Sequence, residues 1–160
     1  MAKNVCIVIA FFLLTNGYAQ NNFQFVELGY GVYQSKVASN DGKVSEAAIE
    51  HFVLDDITLV KKTDRVKAKL GAEFGIAYVL KSNIKDTVML DIEWVYPKEI
   101  KDPSNGAKVK NVWYQIELAT NFNNNSNYTL ESEFEVVTGN WELIIYYKDK
   151  ILHKRKFILE

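Results

Sequence analysis

The sequence predicts an all-β fold, an antiparallel sandwich of about seven to eight strands. Three observations carry this. Segment after segment alternates apolar and polar residues with a period of two, the mark of half-buried strands. No sustained helical period interrupts them to supply a crossover between parallel strands. The composition is rich in Val, Ile, Tyr, Phe and Trp and has two prolines, Pro97 and Pro103, which suits strands.

The elements follow in chain order. Val26, Leu28, Tyr30 and Val32 form a first apolar stripe. Within it, Gly29-Tyr30-Gly31 lacks the third glycine and the helix that phosphate binding requires, so it reads as a bulge or a close backbone approach. Ser45–His51 fits a helical turn or a loop equally, and Leu54–Lys62 reads as extended. Phe74, Ile76, Tyr78 and Leu80 form the next stripe. In Thr87–Tyr96, Val88, Leu90, Ile92, Trp94 and Tyr96 oppose Asp91 and Glu93. Pro97–Lys110 is expected to be a loop. In Asn111–Thr120, Val112, Tyr114, Ile116 and Leu118 oppose Trp113, Gln115 and Glu117. The asparagine cluster Asn121–Asn127 reads as a loop. Tyr128, Leu130, Phe134 and Val136 form a further stripe opposite Glu131, Glu133 and Glu135. Trp141–Tyr147 is apolar on both faces and is expected to be a central strand. Lys148-Asp149-Lys150 then turns tightly into Ile151–Leu159. There Leu152 and Phe157 have opposite parity, which predicts a β-bulge near Lys154-Arg155. The lysines suit an edge strand guarded against aggregation.

The N-terminus reads as a secretory signal peptide over residues 1–19. Lys3 precedes an apolar run from Val5 to Leu14, and Gly17 and Ala19 give the small-x-small pattern of a signal peptidase site. Cleavage is expected between Ala19 and Gln20. A run of ten residues is well short of the ~20 a membrane-spanning helix needs, so no transmembrane segment is expected in the mature chain. Cys6, the only cysteine, falls inside the removed segment. The mature chain then has no disulfide, no thiolate nucleophile and no cysteine metal ligand. Gln20 stands where a lipoprotein would carry its lipidated cysteine, so the expected location is periplasmic or secreted without a lipid anchor. Residues 20–160 are expected to form a single β-sandwich domain, long enough for a self-sufficient core. Losing Lys3 moves the formal net charge from −1 to −2, without the basic excess of a nucleic-acid binder.

Three stretches resemble the pattern of a bacterial family known only as domain of unknown function 3859. They are Gly71–Leu80, Gly139–Tyr147 with Leu152 and Phe157, and Glu27–Tyr33. The resemblance would cover nearly the whole mature chain. It implies an exported immunoglobulin-like sandwich and brings no catalytic or binding residues. The Ala19-Gln20 junction resembles signal peptides of the Bacteroidetes group.

Few residues suggest chemistry. His51 has Asp55 and Asp56 close by, which would make at best a weak metal site, and His153 stands alone; both read as surface residues. No Gly-x-Ser-x-Gly elbow is present. The Glu131–Glu133–Glu135 row and the Lys148, Lys150, Lys154, Arg155, Lys156 patch read as solvated strand faces. The sequons at Asn124 and Asn127 matter only in a eukaryotic secretory pathway. Trp113 is the one candidate ligand contact. If the Pro97–Lys110 loop covers its face it is ordinary packing; if not, it can stack on a sugar or dock a partner. The expected function is a non-enzymatic exported binding or structural protein with an unidentified envelope or extracellular partner. No catalytic residue, cofactor or metal is expected. The alternatives are a carbohydrate-binding module using Trp113 and a small hydrolase.

Overall fold

The computed structural model describes residues 22–35, 57–103 and 106–160. The expected signal peptide, the Ala19–Gln20 junction, Ser45–His51 and the His51–Asp55–Asp56 group lie outside the described residues. Among the described residues there are nine strands: β1 (Gln24–Ser35), β2 (Ile57–Lys61), β3 (Arg65–Val66), β4 (Glu73–Lys81), β5 (Thr87–Lys101), β6 (Lys108–Ala119), β7 (Asn123–Thr129), β8 (Gly139–Tyr147) and β9 (Lys150–Leu159). They form two sheets, one ordered β2-β1-β4-β7 and the other β3-β9-β8-β5-β6. Every pairing is antiparallel except the short parallel contact of β3 with Ile158 and Leu159 of β9. This is the expected all-β sandwich, and it is immunoglobulin-like. No helix among the described residues is long and apolar enough to cross a membrane.

The core lies where the stripes of β4, β5 and β8 meet. Phe74, Ile76, Tyr78 and Leu80 are fully buried, as are Leu90, Ile92, Trp94, Trp141, Leu143 and Ile145. Phe74 stands at its centre, edge-on to Trp94 at 5.4 Å, Trp141 at 5.6 Å and Phe157 at 5.3 Å between ring centroids. Edge-to-face rings at this spacing add about 0.5–1.5 kcal/mol each beyond area burial. β8 is the middle strand of its sheet, which explains why both its faces are apolar. The Lys148-Asp149 turn has both residues at positive φ, 48° and 62°, the geometry that matches the twist of a two-residue hairpin.

Five expectations need correction. The register of β1 shifts between Glu27 and Gly29, so Leu28 sits on a bulge and is half exposed. The bulge reverses parity: Phe25 and Glu27 face inward before it, Tyr30 and Val32 after it. Second, the asparagine cluster is strand β7, because its backbone completes the ladder of β4 and Ser126 packs inside, 3.1 Å from the Tyr78 hydroxyl. Third, the Tyr128–Val136 stripe is no strand. β7 ends at Thr129, and Glu133–Glu135 forms a 3-10 turn. The Glu135 carboxylate reaches back to the amides of Glu131 and Ser132 and accepts the Tyr128 hydroxyl at 2.6 Å. Fourth, the bulge of β9 falls at Leu152, since Ile145 pairs with His153 but Tyr146 pairs with Ile151. His153, Arg155 and Phe157 therefore share the inward face. Fifth, the Pro97–Lys110 segment is mostly strand: β5 runs to Lys101 and β6 begins at Lys108.

Glycine has its expected role in β1. Gly31 has φ +146°, and a Cβ there would meet the Lys61 carbonyl oxygen at 2.0 Å. Strand β2 can lie against β1 only because that side chain is missing.

Candidate functional site

Register places the site. β5 pairs with β6 on one side and β8 on the other, which sets Asp91 beside Gln115 and Tyr146, and Glu93 beside Trp113 and Ile144. All these residues have the outward parity, so they share the outer face of the five-stranded sheet. Pro97–Lys101 and Lys108–Lys110 belong to strands β5 and β6 and do not fold over this face, and Trp113 is 56% exposed. The packing reading of Trp113 is thereby corrected.

The polar groups around the indole are already held in place. Asn111 donates to Glu93 Oε1 at 2.6 Å, and the Tyr146 hydroxyl donates to Glu93 Oε2 at 2.6 Å. Gln115 donates to Asp91 Oδ1 at 2.7 Å. The bond to Glu93 pushes the Tyr146 hydroxyl up to about 12, so it remains a donor throughout the physiological range. No salt bridge between described residues engages Asp91 or Glu93. Asp91, Glu93, Asn111, Trp113, Tyr146 and Asp149 border a shallow groove of about 270 Å³. It offers an apolar ring, three carboxylates, one amide and a phenol, with the Gln115 amide beside Asp91. That set can stack against a flat apolar surface while accepting hydrogen bonds from hydroxyl or amino groups around it.

A second polar cluster, which sequence reasoning missed, lies between the sheets. The bulge at Leu28 turns Glu27 inward, where Arg155 grips its carboxylate through Nε and Nη2. His153 Nε2 lies 2.8 Å from Glu27 Oε2, and its ring stacks on Phe25 at 4.9 Å. The Arg155 guanidinium also sits 4.0 Å over the Tyr30 ring. Burial holds the His153 imidazole below its usual value, with Glu27 acting against that shift. The expectation that His153 and Arg155 are solvated is thus corrected. Glu27 and Arg155 face each other only because of the two bulges, whose positions at Leu28 and Leu152 the alternation alone does not give.

A second acid shielded from solvent was also missed. Glu73 has outward parity on β4 but is 7% exposed, and it accepts from the Ser35 amide and hydroxyl and from Asn127. Among the described residues there is no group of three or more His, Cys, Asp or Glu able to hold a metal ion. Of the exposed acids, Glu131 precedes the 3-10 turn and Glu133 begins it.

Comparison with known proteins places the fold. An immunoglobulin-like protein from Pseudomonas aeruginosa superposes with a TM-score of 0.64 at 22% identity, covering 89% of this chain and 99% of that one. A GH3 β-glucosidase from Bifidobacterium adolescentis matches with a TM-score of 0.37 at 11% identity, over 86% of this chain and 17% of the enzyme. A β-D-glucoside glucohydrolase from Trichoderma reesei gives 0.37 at 10%, over 86% and 19%. At that score the two enzymes say nothing about this chain. No curated protein sequence matches it. The match that extends along the whole described sandwich is to a sequence family, over residues 22–159: the chain belongs to the domain of unknown function family DUF3859.

Proposed function

We propose that this protein is an exported, non-enzymatic binding module of the periplasm or cell surface, which takes a saccharide on the Trp113 face. One observation carries the reading: Trp113 stands exposed on the outer face of a packed sheet, ringed by carboxylates and amides that neighbouring strands hold in place. A sugar ring presents an apolar face of C–H groups and an edge of hydroxyls. The indole meets the first, and Asp91, Glu93, Asn111 and Gln115 meet the second. Side chains fixed beforehand lose little freedom on binding, which favours affinity. Export is supported by the charged, apolar and small-residue sequence of Met1–Ala19. A non-enzymatic role is supported by His153, the one histidine among the described residues, being engaged with Glu27 away from the groove.

A glycan array followed by calorimetry on the best hit tests the reading. Trp113→Ala is expected to weaken binding by at least about tenfold, or 1.4 kcal/mol, with the thermal midpoint nearly unchanged. Asp91→Asn is expected to weaken it less. Binding that survives Trp113→Ala intact removes the site. Cell fractionation with N-terminal sequencing tests export, and a mature protein beginning at Gln20 is the expected result.

A further inference from the structure

We infer that β6 is a self-complementary edge through which two copies of this chain join their five-stranded sheets into one. The observation is independent of what the groove binds. β6 is the last strand of its sheet, so one side of its backbone is without a neighbouring strand among the described residues. The other edges are short or guarded. β2 has five residues and ends on Lys61, β3 has two, and β7 is seven residues of mostly asparagine. β9 carries Lys150, Lys154 and Lys156 and meets β3 at its end. β6 is twelve residues long, and from Asn111 to Ala119 it pairs with β5 without a register shift. Its stretch Asn111-Val112-Trp113-Tyr114-Gln115-Ile116 has no charge, no proline and no glycine. Val112, Trp113 and Tyr114 are all at least about one-third exposed, at 36%, 56% and 38%. Long, unguarded apolar edges are the ones that pair with another strand.

The sequence of β6 says which strand. In an antiparallel pair about a two-fold axis, opposed residues must share a face, so the axis falls on a residue. With the axis at Trp113, Asn111 of one copy faces Gln115 of the other, and Val112 faces Tyr114. Apolar residues meet apolar ones, and the two indoles lie side by side. The amides also suit each other: Asn111 and Gln115 each spend one N–H on a carboxylate, leaving a second N–H and a carbonyl oxygen for the partner amide. No like charges oppose, since Lys108, Lys110 and Glu117 face Leu118, Ile116 and Val109. Moving the axis to Val112 sets Asn111 against Trp113, and moving it to Tyr114 sets Trp113 against Gln115. The interface is narrow, at the small end of specific contacts, which implies dissociation on the order of micromolar or weaker.

Sedimentation of the exported form across a concentration series tests the proposal. The weight-average mass is expected to climb from one chain toward two, and Tyr114→Lys is expected to hold it at one while leaving glycan binding unchanged. In a Cys6→Ser background, Trp113→Cys is expected to oxidise to a covalent dimer, because directly opposed Cα atoms fall within disulfide reach. Asn111→Cys alone is expected to form no covalent dimer, since its opposite number is Gln115. A mass of one chain at the highest soluble concentration overturns the proposal. So does a dimer that survives Tyr114→Lys with Trp113→Cys remaining reduced. Loss of glycan binding in a protein that still dimerises would strike the saccharide reading and leave this one standing.

Discussion

The three tryptophans divide into two environments that differ by one step of strand parity. Trp94 and Trp141 lie between the sheets with no exposed surface, packed edge-on against Phe74; Trp141 also donates to the Val137 carbonyl at 2.9 Å. Trp113 lies on β6, opposite Glu93 and next to Val112, which itself pairs with Trp94. One residue of offset separates a core anchor from an open platform. The same side chain serves stability in one place and is free for recognition in the other.

The sharpest way to break this contrast is Trp141→Ala. It should cost about 3–5 kcal/mol in denaturant unfolding, by removing a fully buried indole and leaving a cavity. Trp113→Ala should stay within about 0.5 kcal/mol of the native protein in the same measurement. If the two costs came out alike, the division would fail. Arg155→Ala comes next. It leaves the mostly buried Glu27 carboxylate without its main partner and should cost about 1–3 kcal/mol, with Arg155→Lys recovering part, because one ammonium cannot replace a two-nitrogen grip.

His153 gives a smaller, pH-dependent effect. Its folded value is depressed, so the unfolded chain binds the proton more readily. Stability from this group is therefore complete above the unfolded value of 6.5 and declines as pH falls below it. His153→Gln should flatten that part of the stability–pH curve. The smallest expected effect is Leu28→Ser, within about 0.5 kcal/mol, since the bulge leaves this leucine half exposed. A larger loss would mean that Leu28 belongs to the core after all.

The sandwich and most of its core were legible because β4 and β5 keep their inward apolar stripes unbroken and β8 is apolar on both faces. Trp113 was legible to the same extent: parity told its face, though not whether anything covered it. That depended on Pro97–Lys110, whose two prolines and lysines look like a loop although the backbone stays paired through Lys101. The asparagine strand escaped notice because its residues have poor intrinsic preference for strands, and pairing with the buried β4 overrides that preference. The Glu27–Arg155 pair was invisible for a different reason. Each bulge adds one residue and reverses every facing beyond it; Gly29-Tyr30-Gly31 and the parity of Leu152 and Phe157 point to bulges but do not mark Leu28 and Leu152 as the extra residues.

That same pair ties the first described strand to the last. Glu27 and Arg155 are 128 positions apart, and the ring of Phe74 likewise waits for Trp141 and Phe157. No N-terminal portion of the chain can complete this core by itself. Contacts of such long span form slowly, because the loop between them must close first. Strand β9 thus acts as a timer on folding of this sandwich. For a chain proposed to cross a membrane as an extended thread, the delay keeps it threadable until β9 has followed it to the far side.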